Sequence, residues 1–260
     1  MDLGLKDKVV LVTGGARGIG AAIVRSAVEE GARATIADRC VEAARDLQAE
    51  LCGEDRRVHV VGGDLSEAAY CKRAVDETFK TFGRLDALVN NAGVNDRVGL
   101  ERGSPAEYAA SLDRNLLHYY NMAHYALAAL KISKGSIVNI ASKTAITGQG
   151  DTSGYASAKG AILALTREWA AELLPYGIRV NAVVPAEVMT PLYRNWLSAF
   201  PDPEEKLAGI ISRIPLGKRM TTPDEIASMV AFLISGKATH ITGQHLFVDG
   251  GYVHLDRALS

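Results

Sequence analysis

The sequence has little that would mark it for an oxidising compartment, a membrane or a nucleic acid. Its three cysteines, Cys40, Cys52 and Cys71, are widely spaced and odd in number. They form no CxxC pair and no disulfide framework, so reduced structural or surface thiols are expected. The six histidines are scattered as well. His118 and His124 fall on one predicted helix, but at a spacing of six they do not share a face as a metal pair would. No metal site is expected. No block of Lys or Arg stands out and the formal net charge is −1. That leaves no basic face for a nucleic acid or an anionic membrane surface. No apolar run approaches the length of a membrane span. The opening MDLGLKDKVV lacks the charged-then-apolar layout of a signal peptide. The expectation is a cytoplasmic protein whose partner is a small molecule.

What is present is alternation. Short β-branched runs at 8–13, 34–37, 58–61, 86–90, 136–141, 179–184 and 244–248 read as strands. Helical patterns lie between them at 18–30, 41–51, 66–82, 104–131 and 155–174, with a further one at 222–235 before the last strand. Ser104-Pro105-Ala106-Glu107 and Thr222-Pro223-Asp224-Glu225 carry helix-start signatures, with a capping residue, proline at the first helical position and an acid at the third. Regular β-α alternation with continuously apolar strands implies a parallel sheet buried on both faces. The fold class expected is α/β, a Rossmann-type doubly wound parallel sheet of about seven strands with helices on both faces. No linker, repeat or low-complexity segment divides the chain, so 1–260 is read as one domain. The stretch 188–219 falls outside the alternation and is a candidate lid or substrate loop.

The first strand runs into Thr13-Gly14-Gly15-Ala16-Arg17-Gly18-Ile19-Gly20. Glycines here let backbone approach a pyrophosphate, and the helix that follows offers free N–H groups and a positive dipole end. A Gly-rich turn alone could be only a tight turn, but the strand before and helix after favour a nucleotide. Asp38 ends the second strand about 20 residues on, where a ribose hydroxyl is read. Its carboxylate would repel the 2′-phosphate of NADP, so NAD is the expected cofactor, with Arg17 and Arg39 as nearby cations. Asp64 and Leu65 follow strand three, where an adenine edge could be held; Asp64 could equally cap the helix expected from residue 66. Asn91 can stabilise a tight turn after strand four, and small Ala92 and Gly93 allow close cofactor contact.

Tyr155-Ala156-Ser157-Ala158-Lys159 sets a tyrosine and a lysine on one helix face. A free phenol, with a pKa near ~10, is a poor base at neutral pH. A nearby ammonium and a nicotinamide charge favour the phenolate, which suits a general base for an alcohol. Ser142 ends strand five at the carboxyl edge of the sheet, placed to hold the reacting oxygen. A YxxxK spacing by itself arises by chance; joined to the Gly-rich turn and an edge serine it does not read as a chance pair.

In their order, TGGARGIG, Asp38, NNAG, the strand ending at Ser142, YASAK and the closing Val248-Asp249-Gly250-Gly251 resemble the short-chain dehydrogenases/reductases over essentially the whole chain. The resemblance implies Tyr155 as base, Lys159 as its partner and ribose ligand, and Ser142 as substrate-oxygen donor. It also implies Asn115 as holder of a relay water; a mid-helix asparagine would otherwise read as indifferent. Pro185, Val188 and Thr190 match positions facing the nicotinamide carboxamide. The family's common Pro-Gly after strand six is here Pro185-Ala186, so that turn should keep φ negative. A homotetramer is implied.

The substrate wall should draw on residues 142–152 and on the stretch after Pro185. Lys143, Thr144, Thr147, Gln149, Thr152, Glu187, Tyr193, Asn195 and Trp196 make it polar with flat aromatics. An acyl or steroid pocket would be mainly apolar, whereas this set suits a polyhydroxylated ring; taken singly, each residue could be solvated lid surface. PAEVMTPLYRNW, SKTAITGQG, HYYNMAHY and GGYVHLDRAL narrow the resemblance to the family's bacterial L-fucose dehydrogenase subgroup. That implies an aldose (L-fucose, L-galactose or D-arabinose) oxidised at its anomeric carbon by NAD to the lactone. Ser142, Lys143, Gln149, Tyr155, Glu187 and Trp196 are then the expected sugar contacts. Rival readings are a 3-oxoacyl thioester reductase, a hydroxysteroid-type dehydrogenase and a non-catalytic nucleotide sensor. Asp38, the polar lid and the intact Tyr155–Lys159 pair argue against them in turn.

Overall fold

The structure, a computed structural model, describes residues 2–51 and 57–255. Cys52 and the tail 256–260 lie outside the described residues. Seven strands form one parallel sheet: β1 (Val9–Thr13), β2 (Arg33–Asp38), β3 (Val58–Gly62), β4 (Ala87–Asn90), β5 (Ser136–Ile140), β6 (Arg179–Pro185) and β7 (His245–Val248). Their order is β3-β2-β1-β4-β5-β6-β7. The chain winds outward one way from β1, then returns to β4 on its other side. A crevice therefore opens beyond the carboxyl ends of β1 and β4, the switch point where such sheets take ligands.

The period-2 geometry of β1 divides the core. Val10 and Val12 face α1 (Gly18–Glu29), α2 (Val41–Leu51) and α9 (Pro223–Ile234), packing with Ile23, Val24, Ile226 and Val230. Val9 and Leu11 face α3 (Ala68–Phe82), α5 (His118–Ser133) and α6 (Ser153–Glu172), packing with Val75, Met122, Ile162 and Trp169. Helices thus cover both faces, as the continuous apolar strands require. One buried polar chain crosses the second layer. Asn90 Nδ2 donates to Asn139 Oδ1 at 3.0 Å, and Asn139 Nδ2 donates to Thr166 Oγ1 at 3.0 Å. Because Thr166 lies on α6, this chain ties that helix to β4 and β5, although Asn90 Oδ1 at its end is buried without a partner.

Three local departures from the sequence reading have physical causes. The helix expected over 104–131 is α4 (Pro105–Leu112), a π segment (Asp113–Leu117) and α5. Asn115 Nδ2 donates to the Ser111 carbonyl at 3.0 Å, a partner for a carbonyl that π-type bonding leaves out of the α ladder. The helix expected from residue 66 begins at Ala68, because Asp64 engages both the N–H and hydroxyl of Ser66 in a turn of its own. The stretch 188–219 holds α7 (Pro191–Leu197) and α8 (Pro203–Ile211). Thr190 and Asp202 cap them, accepting from the N–H of Tyr193 and of Glu205, and each is followed by proline at the first helical position. A capping residue followed by proline is shared with Ser104 and Thr222; Asp202 also has the acid at the third position, Glu205, where Thr190 has Tyr193, and Thr222 completes a capping box with Glu225.

Candidate active site

The crevice is a cleft of about 520 Å³ running along the sheet's carboxyl edge, within the range of small-molecule sites. Gly14, Arg17, Gly18, Ile19, Asp38, Arg39, Asp64 and Leu65 line its first half. Arg17 precedes α1 in extended conformation and supplies no side-chain cap, so the helix's first N–H groups are left for another acceptor. Gly20 does not line the cleft. A Cβ there would sit 2.1 Å from the Gly14 carbonyl oxygen, so its role is to let the turn lie on α1. Asp38 is aimed by two backbone donors, Ala16 N–H at 3.0 Å and Cys40 N–H at 2.8 Å. Each carboxylate oxygen keeps a lone pair for a ribose hydroxyl. Asn91 lines the cleft but spends its amide on the carbonyls of Thr13 and Gly14, at 2.9 and 3.0 Å. It stiffens the turn from the β4 side.

The second half of the cleft joins Gly93, Ser142, Tyr155, Lys159, Pro185, Ala186, Val188 and Thr190. Ser142 leaves β5 and Tyr155 enters on α6, and both line this half of the cleft. Burial pushes the Tyr155 phenol up to about 12, and the neighbouring Ser142 hydroxyl opposes this. Burial brings Lys159 down to about 7. Its ammonium donates to the Ile140 carbonyl at 2.7 Å and to the Tyr119 hydroxyl at 2.9 Å, and lies 5.6 Å from the Tyr155 ring centre. Gly93 makes room for this assembly. A Cβ there would approach Asn115 Oδ1 to 3.3 Å and Lys159 Nζ to 3.4 Å. Asn115 itself is buried and accepts from Val94 N–H at 2.7 Å, which ties the π segment to the loop after β4. Ala186 is not among the residues with positive φ, as its replacement of glycine requires.

The expected sugar contacts separate. Ser142 and Tyr155 line the cleft; Lys143, Gln149, Glu187 and Trp196 do not. Lys143 and Glu187 pair with each other behind the wall, Lys143 Nζ donating to Glu187 Oε1. The other carboxylate oxygen of Glu187 accepts from the Tyr193 hydroxyl at 2.7 Å. Gln149 is exposed on a second, shallow concavity lined by Thr144, Thr147 and Thr152. Trp196 packs edge-on against Tyr193 and Phe200 within the lid. Tyr193 and Asn195 do reach the cleft, with Asn95 and Arg114 opposite. Two further residues at the site had no functional role in the sequence reading: His118, which lines the cleft, and Tyr119, which is buried and bonded to Lys159. His118 is buried, lines the cleft, and is pushed down to about 3 by burial and then by the Lys159 charge. On a helix pattern both look like core positions, and nothing in the sequence separates them from it.

A Gly-rich turn at the switch point, an aimed ribose acid and a Ser-Tyr-Lys cluster define a dinucleotide-dependent oxidoreductase. The chain belongs to the short-chain dehydrogenase/reductase family: the family described as "Enoyl-(Acyl carrier protein) reductase" matches residues 14–253. It is 39% identical to the L-fucose dehydrogenase of Rattus norvegicus over 246 residues, 94% of this chain and 88% of that protein. Among solved structures it is similar to the Cj0485 dehydrogenase, with 46% identity, TM-score 0.95 and coverage of 100% and 99% of the two chains. It is also similar to the ligand-free aldohexose dehydrogenase of Thermoplasma acidophilum, with 34% identity, TM-score 0.87 and coverage of 98% and 97%. The protein is therefore an NAD(P)-linked oxidoreductase acting on CH–OH groups. Among the described residues, no helix is long and apolar enough to cross a membrane, and no three His, Cys, Asp or Glu side chains are grouped to hold a metal.

Proposed function

We propose that the protein oxidises an aldose at its anomeric carbon, with L-fucose, L-galactose or D-arabinose as substrate, NAD as oxidant and the lactone as product. The observation that carries this is the adjoining Ser142 and Tyr155 hydroxyls in a cleft whose outer wall is polar, from Asn95, Arg114, Tyr193 and Asn195. Such a wall matches ring hydroxyls, and a ring face can lie on Tyr193. The names carried by the rat and Thermoplasma relatives point the same way.

In this reading Ser142 donates to the anomeric oxygen while Tyr155, as phenolate, removes its proton. NAD, held by the first half of the cleft, would supply the acceptor for the hydride that leaves C1. The C–H and O–H bonds are replaced by the lactone carbonyl, and the proton rests on Tyr155 before passing toward Lys159. Asp38 would take the adenosine ribose hydroxyls, Gly14, Arg17, Gly18 and Ile19 the pyrophosphate side, Asp64 and Leu65 the adenine edge, and Pro185, Val188 and Thr190 the carboxamide. Preference for NAD over NADP follows from the negative charge of Asp38. Exposed Tyr108, Leu117 and Tyr120 on α4, the π segment and α5 support a homotetramer, which light scattering would report as four times the mass of one chain.

The test is NADH absorbance with a panel of aldoses, steroid alcohols and acyl thioesters. Turnover is expected with aldoses that share the L-fucose ring stereochemistry. Turnover confined to steroids or thioesters would overturn the sugar reading, and NAD binding without any turnover would favour a nucleotide sensor.

A further inference from the structure

Tyr119 is fully buried on α5, immediately after the π segment. Its hydroxyl donates to the Ile140 carbonyl at 2.9 Å and accepts from Lys159 Nζ at 2.9 Å. Lys159 Nζ donates to the same carbonyl at 2.7 Å. These three bonds close a triangle between α5, α6 and the end of β5, two residues before Ser142. We propose that Tyr119 is a positioning residue of the site, its hydroxyl holding the Lys159 ammonium in place and sustaining the charge that Tyr155 experiences. This rests on Tyr155 acting as base with Lys159 as its partner.

The chemistry requires some such group. Lys159 is 2% exposed, and a buried ammonium is stabilised only by what bonds to it. The groups facing it are Tyr155 from its own helix and Tyr119 and His118 from α5, with the Asp64 carboxylate beyond His118. None of the three aromatic side chains brings a negative charge at neutral pH. His118 stays uncharged, and burial raises the Tyr119 phenol well above its ordinary range, so its oxygen remains a neutral acceptor. Two fixed acceptors, the Ile140 carbonyl and the Tyr119 oxygen, therefore oppose the desolvation of Lys159. The remaining ammonium donor is free for the cleft. Losing the Tyr119 oxygen makes Lys159 easier to deprotonate, and Tyr155 then loses a favourable cation and becomes harder to ionise.

The test is Tyr119→Phe, which keeps the ring and removes only the oxygen, read on the holoenzyme with NAD bound. The Tyr155 phenolate is followed by ultraviolet difference absorbance against pH, and its signal is assigned by its loss in Tyr155→Phe. The titration should move to higher pH by about one unit, the scale of one hydrogen bond to a charged group. Oxidation of the substrate found in the panel should then fall about tenfold below the acid limb and converge with the parent at alkaline pH. A structural role alone would lower the rate equally at every pH. A 3,5-difluorotyrosine at position 119, which keeps hydroxyl and volume but weakens the acceptor, should move the titration in the same direction by less. An unmoved titration in a folded variant, or a uniform loss of rate, overturns the proposal. If instead Tyr155→Phe retains full turnover, it is the assignment of the base that fails, and the two outcomes are distinct.

Discussion

Replacing Glu187 by leucine should cost the fold more than it costs sugar binding. Both side chains of the Lys143–Glu187 pair are 11% exposed. Glu187→Leu leaves the Lys143 ammonium with little beyond the Tyr252 ring, 4.2 Å away, and removes the acceptor of the Tyr193 hydroxyl. Breaking one side of a buried pair costs about 3–5 kcal/mol, since the remaining charge is uncompensated. Residual exposure lets water relieve part of this, so a loss of about 3 kcal/mol is expected. Urea unfolding with an unchanged slope would report it directly, and the thermal midpoint should drop by roughly 6–12 °C. The double variant Lys143→Met/Glu187→Leu should recover most of the loss, because matched apolar groups replace a buried pair at little cost. A single variant within about 0.5 kcal/mol of the parent would refute the buried latch. So would a double variant as unstable as both singles combined. A raised sugar KM with unchanged stability would return Glu187 to direct contact with substrate.

Asp38→Ser should raise the NADP-to-NAD ratio of kcat/KM by about tenfold or more, because a like-charge repulsion is removed; an unchanged ratio would detach Asp38 from the ribose. Gly20→Ala should abolish NADH binding, measured by fluorescence, since its Cβ would occupy the space of the Gly14 carbonyl. Near-normal binding would mean that the turn can move off α1. Burial alone would raise the Asp86 carboxyl, but Arg84, the Val9 N–H and Lys8 outweigh it and hold it below its ordinary value. Its contribution to stability is therefore complete above the unfolded carboxyl pKa of about 4 and is lost as pH falls through the lower folded value. Asp86→Asn should flatten that acid limb in urea titrations from pH 6 to 2, and an identical pH dependence would count against it.

The sheet was legible because its cues are local. Apolar runs, Gly-rich turns and proline-capped helix starts each lie within a few residues, and the same cues at Thr190 and Asp202 would have located α7 and α8. Tyr155 and Lys159 were legible because four residues of helix bring them together. Asn115 was not readable from its own residue type. Its place depends on a π segment, and DRNLL carries no composition that separates π from α. Lys143 and Glu187 are 44 positions apart. Each alone looked like a free polar group facing substrate, and only the meeting of β5, β6 and the lid shows that they are committed to each other. Tyr119 follows the same logic: a tyrosine on a buried helix face reads as packing until the fold shows what its oxygen touches.

The π segment also sets how much length this stretch can lose. A π turn bonds i to i+5 and holds one residue more than an α turn. Removing one residue from 113–117 and letting the stretch heal to α would therefore leave the helix beyond it close to its present phase. Met122, Ala126 and Leu130 would still face the sheet with Tyr119, and the change would fall on Asn115 and its bond to the Ser111 carbonyl. A second deletion has no surplus to draw on and would turn that face by about 100°.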